Sequence, residues 1–168
     1  MDGQWPGDSI PGLLLNQGED TTLYYIAYGS NMDEDQMAHR CPGAKLIGTG
    51  RLHGFQLEFN RHATIVESGN PESLVPVAVW KITEDDERRL DRYEGYPTYY
   101  RKITCGFDVG EEEETPGMVY QMCNFEHNPP DGFYYKGIKD AYEYLGFHDE
   151  IKRVLLPALM RSHRLAKR

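Results

Sequence analysis

The first apolar cluster, Tyr24 to Tyr28, joins β-favouring tyrosines to an isoleucine and ends at Gly29, which predicts a short buried strand leading into a tight turn. Asp33 then stands where a helix N-cap belongs, with Gln36 three residues on and Met32 and Met37 flanking the box as a hydrophobic staple. That helix is expected to stop near Arg40, ahead of Cys41-Pro42-Gly43. From Lys45 the pattern turns strand-like. Phe55, Leu57 and Phe59 alternate with Gln56 and Glu58, the period of a half-buried strand, and Ala63 to Glu67 is its expected partner. Val75, Val77 and Val79 alternate as well, but Pro76 assigns this stretch to a sheet edge or a strand start. Thr83-Glu84-Asp85-Asp86 opens a second helix that runs to about Tyr93, its acidic first turn suiting the positive end of the helix dipole. Strands follow over Tyr99 to Phe107 and Gly117 to Asn124. Ile138, Ala141, Tyr142 and Leu145 recur at helical spacing until Gly146. Ile151, Val154, Leu155 and Leu159 do the same in a last helix, kinked or interrupted at Pro157.

Strands and helices do not alternate at crossover length, which argues against a doubly wound parallel sheet. About six strands with inserted and trailing helices predict an α+β class, with a sheet able to curl into a small barrel. Residues 1–22 contain Gly3, Pro6, Gly7, Pro11, Gly12 and Gly18 and read as an N-terminal extension, with Leu13-Leu14-Leu15 available to dock it. No repeat or interior linker divides the remainder, so residues 23–168 are expected to form one domain. A chain of 168 residues suffices for one core of ordinary size.

Composition narrows the function classes. With 39% hydrophobic and 12% aromatic residues, the chain is too apolar to be disordered. No apolar run reaches the length of a membrane helix, so no membrane partner is expected. The opening Met1-Asp2-Gly3-Gln4-Trp5-Pro6 lacks a basic segment before an apolar one, so no secretory signal is expected and the cytoplasm is the expected compartment. A net charge of −9 repels polyanions, so no nucleic-acid partner is expected. The basic cluster of Arg161, Arg164, Lys167 and Arg168 around His163 reads as a solvated tail, and Glu111 to Glu114 as a solvated loop. Cys41, Cys105 and Cys123 are odd in number and lack C-x-x-C spacing, which disfavours a disulfide framework or a zinc site. Cys105 and Cys123 fall in strand-like segments and read as small buried hydrophobes rather than nucleophiles. The six histidines are scattered, so no metal is expected. No feature sets an oligomeric state.

Three features carry chemistry. Tyr28-Gly29-Ser30-Asn31 lies where a strand runs out into a capped helix, and glycine there permits a backbone angle that points successive N–H groups into one concavity, a nest for carboxylates or oxyanions. An ordinary strand-to-helix turn explains the same residues. In Leu90-Asp91-Arg92-Tyr93-Glu94-Gly95-Tyr96-Pro97, a helix reaches Glu94 and stops at Gly95. A carboxylate at that end meets the negative pole of the helix, and Tyr93, Tyr96 and Tyr100 surround it with apolar surface. Both effects raise its pKa toward the range of an acid–base catalyst; a solvated helix-end glutamate is the plain alternative. Tyr100, Tyr120 and Tyr134 sit at or beside the ends of predicted elements, as rim or core tyrosines also do.

Taken together, these segments resemble the gamma-glutamylcyclotransferase-like family, which includes the AIG2-like proteins. Tyr28-Gly29-Ser30-Asn31-Met32 is similar to the family's signature turn, with Met32 replacing the usual leucine. The block from Leu90 to Pro97, followed by Tyr100, is similar to the one that carries the catalytic glutamate, which would be Glu94. Val119-Tyr120, Pro129-Pro130 and Tyr134 resemble the segment that closes the pocket. The likeness spans about residues 24 to 147. It implies a small mixed β-barrel flanked by helices, a small-molecule γ-glutamyl substrate, no cofactor, and substrate contacts from Tyr28, Gly29, Ser30, Asn31, Met32, Tyr100, Tyr120 and Tyr134. The implied reaction is attack of the substrate α-amine on its own γ-carbonyl, giving 5-oxoproline and a released amine. The Glu-Gly-x-Pro form looks more like the AIG2-like and amine-acting branches, but γ-glutamyl amino acids, γ-glutamyl amines and larger γ-glutamylated intermediates all stay open as substrates. The contrasting reading is a catalytically silent binding or regulatory module on the same fold.

Overall fold

In the computed structural model, residues 22–107 and 115–167 are described; the expected extension through residue 21, the acidic run Glu111 to Glu114, and Arg168 lie outside the described residues. In chain order the elements are β1 (Leu23–Ala27), a 3₁₀ turn (Ser30–Met32), α1 (Glu34–Arg40), β2 (Lys45–His53), β3 (Phe55–Asn60), β4 (His62–Glu67) and β5 (Leu74–Ile82). They continue with α2 (Glu84–Glu94), β6 (Tyr100–Phe107), β7 (Thr115–Met122), α3 (Gly132–Tyr144) and α4 (His148–Glu150), then a π-helical stretch (Ile151–Leu155) and α5 (Leu156–Arg164).

Five strands form one mixed sheet in the order β2-β5-β1-β7-β6. The central β1 runs antiparallel to β5 and parallel to β7. β3 and β4 pair with each other as a separate antiparallel hairpin. The expected α+β class holds, but the described strands do not close into a barrel: they divide between the five-stranded sheet and this hairpin. Ile26, Val77, Val79, Val119, Leu57 and Leu90 are wholly buried and join sheet, hairpin and helices in one core. Burial of such side chains stabilises the fold by ~1.5–3 kcal/mol each.

Pro76 is the third residue of β5, so the expected strand start holds, while β5 as a whole has neighbours on both sides and is not an edge strand. β1 pairs with β5 only over Ala78–Ile82, so at Pro76 the only strand alongside is β2, where it faces Arg51. The residue that lacks an N–H therefore sits past the end of β1, where no ladder bond to that strand is lost. Glu58 departs from the expected alternation. It is buried at 3% exposure because its Oε1 accepts from Arg161 Nε at 3.0 Å, while His127 Nε2 lies 3.3 Å from Oε2. This pair ties α5 to β3. Cys123 is exposed just past β7 and Cys105 is half-buried, so neither is the fully buried small hydrophobe expected; Cys41 is the buried one. The expected break near Pro157 takes the form of the π-helical stretch that precedes α5, with Pro157 in that helix's first turn, where its missing N–H is best tolerated.

Candidate active site

Glu94 owes its position to both ends of α2. Thr83 and Asp86 close a full capping box at the start. Gly95 ends the helix in the left-handed conformation, φ 65° and ψ 36°. Tyr96 N–H donates to Asp91 O at 2.9 Å and Gly95 N–H to Arg92 O at 3.4 Å, the paired bonds of a Schellman stop. Glu94 is thus the last helical residue, and its side chain reaches a cavity of about 230 Å³.

The opposite wall comes from the end of β1 and the turn after it. Asp33 caps α1 by accepting from Gln36 N–H at 2.8 Å, and Met32 N–H donates to Gly29 O at 3.0 Å. Those bonds leave the Ser30 and Asn31 amides as first-turn donors without an intrahelical acceptor. Asn31 is nearly buried and well anchored. Its carbonyl accepts from Trp80 Nε1 at 3.0 Å, and its Nδ2 donates to Tyr25 Oη at 3.0 Å and weakly to Glu94 Oε1 at 3.5 Å. Its Oδ1 accepts a short bond from Arg40 Nη1, which also donates to Ser30 Oγ at 3.3 Å.

Tyrosines complete the enclosure. Tyr28 Oη donates to Tyr120 O at 2.5 Å, Tyr100 Oη to Ala63 O at 2.7 Å, and Tyr120 Oη to Asp91 Oδ1 at 2.6 Å. These three have given their only proton to the protein. Tyr25 and Tyr134 instead accept, from Asn31 and from Ala63 N–H at 2.9 Å, so their own protons are not spent in those bonds. Tyr134 is placed by the Asp131 cap of α3.

Burial pushes the Glu94 carboxyl from the ordinary 4.5 up to about 7, against the pull of the Arg40 guanidinium. Burial likewise raises the Tyr28, Tyr100, Tyr120 and Tyr134 phenols, so they remain neutral. Ser30 has no base on it: its hydroxyl faces Arg40, which can only donate. The site is therefore equipped for proton transfer by one carboxylate, not for a serine nucleophile.

Of the residues singled out in the sequence, Tyr28, Gly29, Ser30, Asn31, Glu94, Tyr100, Tyr120 and Tyr134 line this one cavity. Met32 does not; its side chain is 1% exposed in the core. Gly29 also differs from expectation, because its φ of −123° is open to any residue. A Cβ there would stand in ordinary contact, 3.4 Å from Ala63 Cβ and 3.6 Å from Tyr134 Oη, so the limit on space falls on side chains larger than alanine. The sequence reading missed Tyr25, His62, Ala63 and Tyr99 in the lining, and Arg40 beside it. Only Tyr25 carried a signal, as a second tyrosine in the strand that delivers Tyr28.

The family model for gamma-glutamyl cyclotransferase, AIG2-like, matches residues 25–137, which include Glu94 and the turn at Gly29. The chain belongs to the gamma-glutamyl cyclotransferase, AIG2-like family. The gamma-glutamylcyclotransferase of Bos taurus is 31% identical over 137 residues, covering 74% of this chain and 72% of the relative. That of Homo sapiens is 28% identical over 153 residues, covering 81% and 80%. A solved gamma-glutamyl cyclotransferase superposes with a TM-score of 0.71 at 27% identity, over 79% of this chain and 88% of that one. A mouse AIG2-like protein shares the fold at 17% identity and a TM-score of 0.51, over 62% of this chain and 80% of that one. The family is one of enzymes that form 5-oxoproline.

Proposed function

We propose that the protein converts γ-glutamyl compounds to 5-oxoproline and a free amine, with Glu94 carrying the proton. The observation that supports this most is Glu94 itself: one carboxylate, with a pKa near 7, in a small cavity whose walls are mostly neutral phenols and amides. At about 230 Å³ the cavity is below the ~300–1,000 Å³ of drug-sized sites, a size that suits a folded glutamyl group but not the whole substrate.

Ionised Glu94 takes a proton from the substrate α-ammonium. The freed amine attacks the γ-carbonyl carbon and closes a five-membered ring, a step favoured by holding both ends of one molecule together. The carbonyl oxygen gathers negative charge, and the Ser30 and Asn31 amides with the Tyr25 and Tyr134 hydroxyls are the donors available to it. The bond to the leaving nitrogen then breaks as Glu94 hands it that proton, and the second proton of the ring nitrogen follows to the released amine, which departs as an ammonium while the lactam is left neutral. Protons balance, and no covalent intermediate, metal or cofactor is needed. The departing amine extends into an adjoining cavity of about 370 Å³, which shares Ser30, Tyr93 and Tyr134 with the inner one. Arg40, Lys136, Asp131 and Asp140 line that outer space, an environment for a polar leaving group.

A panel of γ-glutamyl amino acids and γ-glutamyl amines, assayed for 5-oxoproline, tests the reading. Turnover of at least one class, with a melting temperature raised by excess 5-oxoproline, is expected. A thermal shift without turnover of any compound would assign the chain to a silent binding module, and absence of both would reject the site.

A further inference from the structure

We propose that Arg40 is a positioning residue for Glu94: its guanidinium fixes the Asn31 carboxamide in the orientation that donates to the Glu94 carboxylate and braces the helix end beside it. This inference rests on Glu94 being the proton carrier.

The Asn31 side chain has two faces, one donor and one acceptor, and two orientations would fit its shape. Arg40 can only donate, and its Nη1 lies against Asn31 Oδ1. That contact forces Nδ2 to the other side, toward Tyr25 Oη at 3.0 Å and Glu94 Oε1 at 3.5 Å. The reversed carboxamide would set two donors against each other at Arg40 and oppose an oxygen to the carboxylate. The backbone of Asn31 cannot turn to compensate, since Trp80 holds its carbonyl. On the other flank, the Arg40 guanidinium stacks 3.8 Å from the centroid of Tyr93, the residue next to Glu94 on α2. One side chain of α1 thus grips both the partner of the carboxylate and its sequence neighbour.

The charge of Arg40 acts in the same place. Phenols of Tyr25, Tyr28, Tyr99, Tyr100, Tyr120 and Tyr134 face Glu94 from β1, β6, β7 and α3 and the segments next to them, and burial raises all of them, so none ionises in the working range. On α2 itself, Asp91 is tied to Lys102 and to Tyr120. His62, across the cavity on β4, is engaged with Tyr99 at 3.1 Å. Arg40 is the cation that offsets the cost of burying the Glu94 charge.

Two variants test this, Arg40→Met and Arg40→Lys, each read by the pH dependence of kcat/KM and by carbon-13 NMR titration of the Glu94 carboxyl, assigned against Glu94→Gln. Arg40→Met should move the Glu94 midpoint up by about one pH unit. It should also lower kcat about tenfold at a pH where Glu94 is ionised, through the loosened Asn31. Arg40→Lys should restore the midpoint but not kcat, because an ammonium lacks the planar fork and the stacking face. An unchanged midpoint in folded Arg40→Met, or full kcat in Arg40→Lys, overturns the proposal. Should Arg40→Met not fold, the kcat of Arg40→Lys alone decides it. A wild-type protein that releases no 5-oxoproline would sink the functional reading instead, while the NMR midpoint would still show whether Arg40 governs Glu94.

Discussion

Glu94→Gln separates a catalytic carboxylate from a structural one, because the two roles change activity and stability in opposite directions. The substitution keeps size and much of the hydrogen bonding to Asn31 while removing the titrating proton. Proton transfer by a positioned group is worth ~10²–10⁴ in rate, and the upper half of that range is expected because Glu94 serves both nitrogens. Stability should move the other way. The folded-state pKa is raised from 4.5 to about 7, so the protonated form is the one the fold prefers. Below about pH 4.5 the carboxyl is neutral in both folded and unfolded chains and carries no penalty. Between 4.5 and 7 the penalty for burying its charge grows, and above 7 it is complete. At 1.36 kcal/mol per pH unit that is about 3 kcal/mol, which partial solvent access to the carboxylate reduces to ~1–3 kcal/mol. The glutamine variant should therefore match the wild type in melting temperature at pH 4 and exceed it at pH 8, by ~2–4 °C for each kcal/mol. The assay pairs 5-oxoproline release with thermal melts across that pH range. Near-normal turnover, or a melting difference that ignores pH, would refute the reasoning.

In the wild type, kcat/KM should rise with pH through about 7, since the base must be ionised, and fall tenfold per unit below it; a flat profile from pH 5 to 8 would count against Glu94. Gly29→Ala should fold normally because its Cβ has room, whereas Gly29→Val should raise KM at least tenfold by placing methyls beside Ala63 and Tyr134, and an unchanged KM would show that no ligand comes near. Met32→Ala should lower stability by ~2–5 kcal/mol and leave the KM of the folded fraction unchanged, as a buried core side chain outside the cavity predicts. Turnover should survive both chelator and thiol alkylation, even though Cys123 is exposed to the reagent; loss on chelation that a divalent metal restores would overturn the metal-free route.

The local parts of this site were legible in the sequence. Caps, glycine stops and short apolar runs are properties of neighbouring residues, and Asp33, Thr83 and Gly95 do what their types imply. The ends of the elements that carry Tyr28 and Glu94 followed from them, whereas the Asp131 cap that starts α3 and places Tyr134 was not read. Contacts across the chain were not legible. Glu58 looks like the wet face of a strand until Arg161, 103 residues later, comes to meet it. Arg40 reads as the last residue of a short helix, and only the fold stacks it on Tyr93 and sets it on Asn31. Pro76 fitted a sheet edge and a strand start equally well, because sequence shows a missing donor but not how far the next strand extends. Met32 shows the opposite error: a residue inside a functional motif that serves the core.

The central claim is that the substrate's own α-amine closes the ring with Glu94 moving the proton. Incubation of the protein with a γ-glutamyl amino acid and with its Nα-acetyl derivative tests this directly, with 5-oxoproline, free glutamate and released amine all quantified. Equal amounts of 5-oxoproline and amine from the first compound, no free glutamate, and no reaction of the second are predicted. Release of glutamate, or cleavage of the acetylated compound, would mean that water or another nucleophile attacks the γ-carbonyl, and would contradict the account.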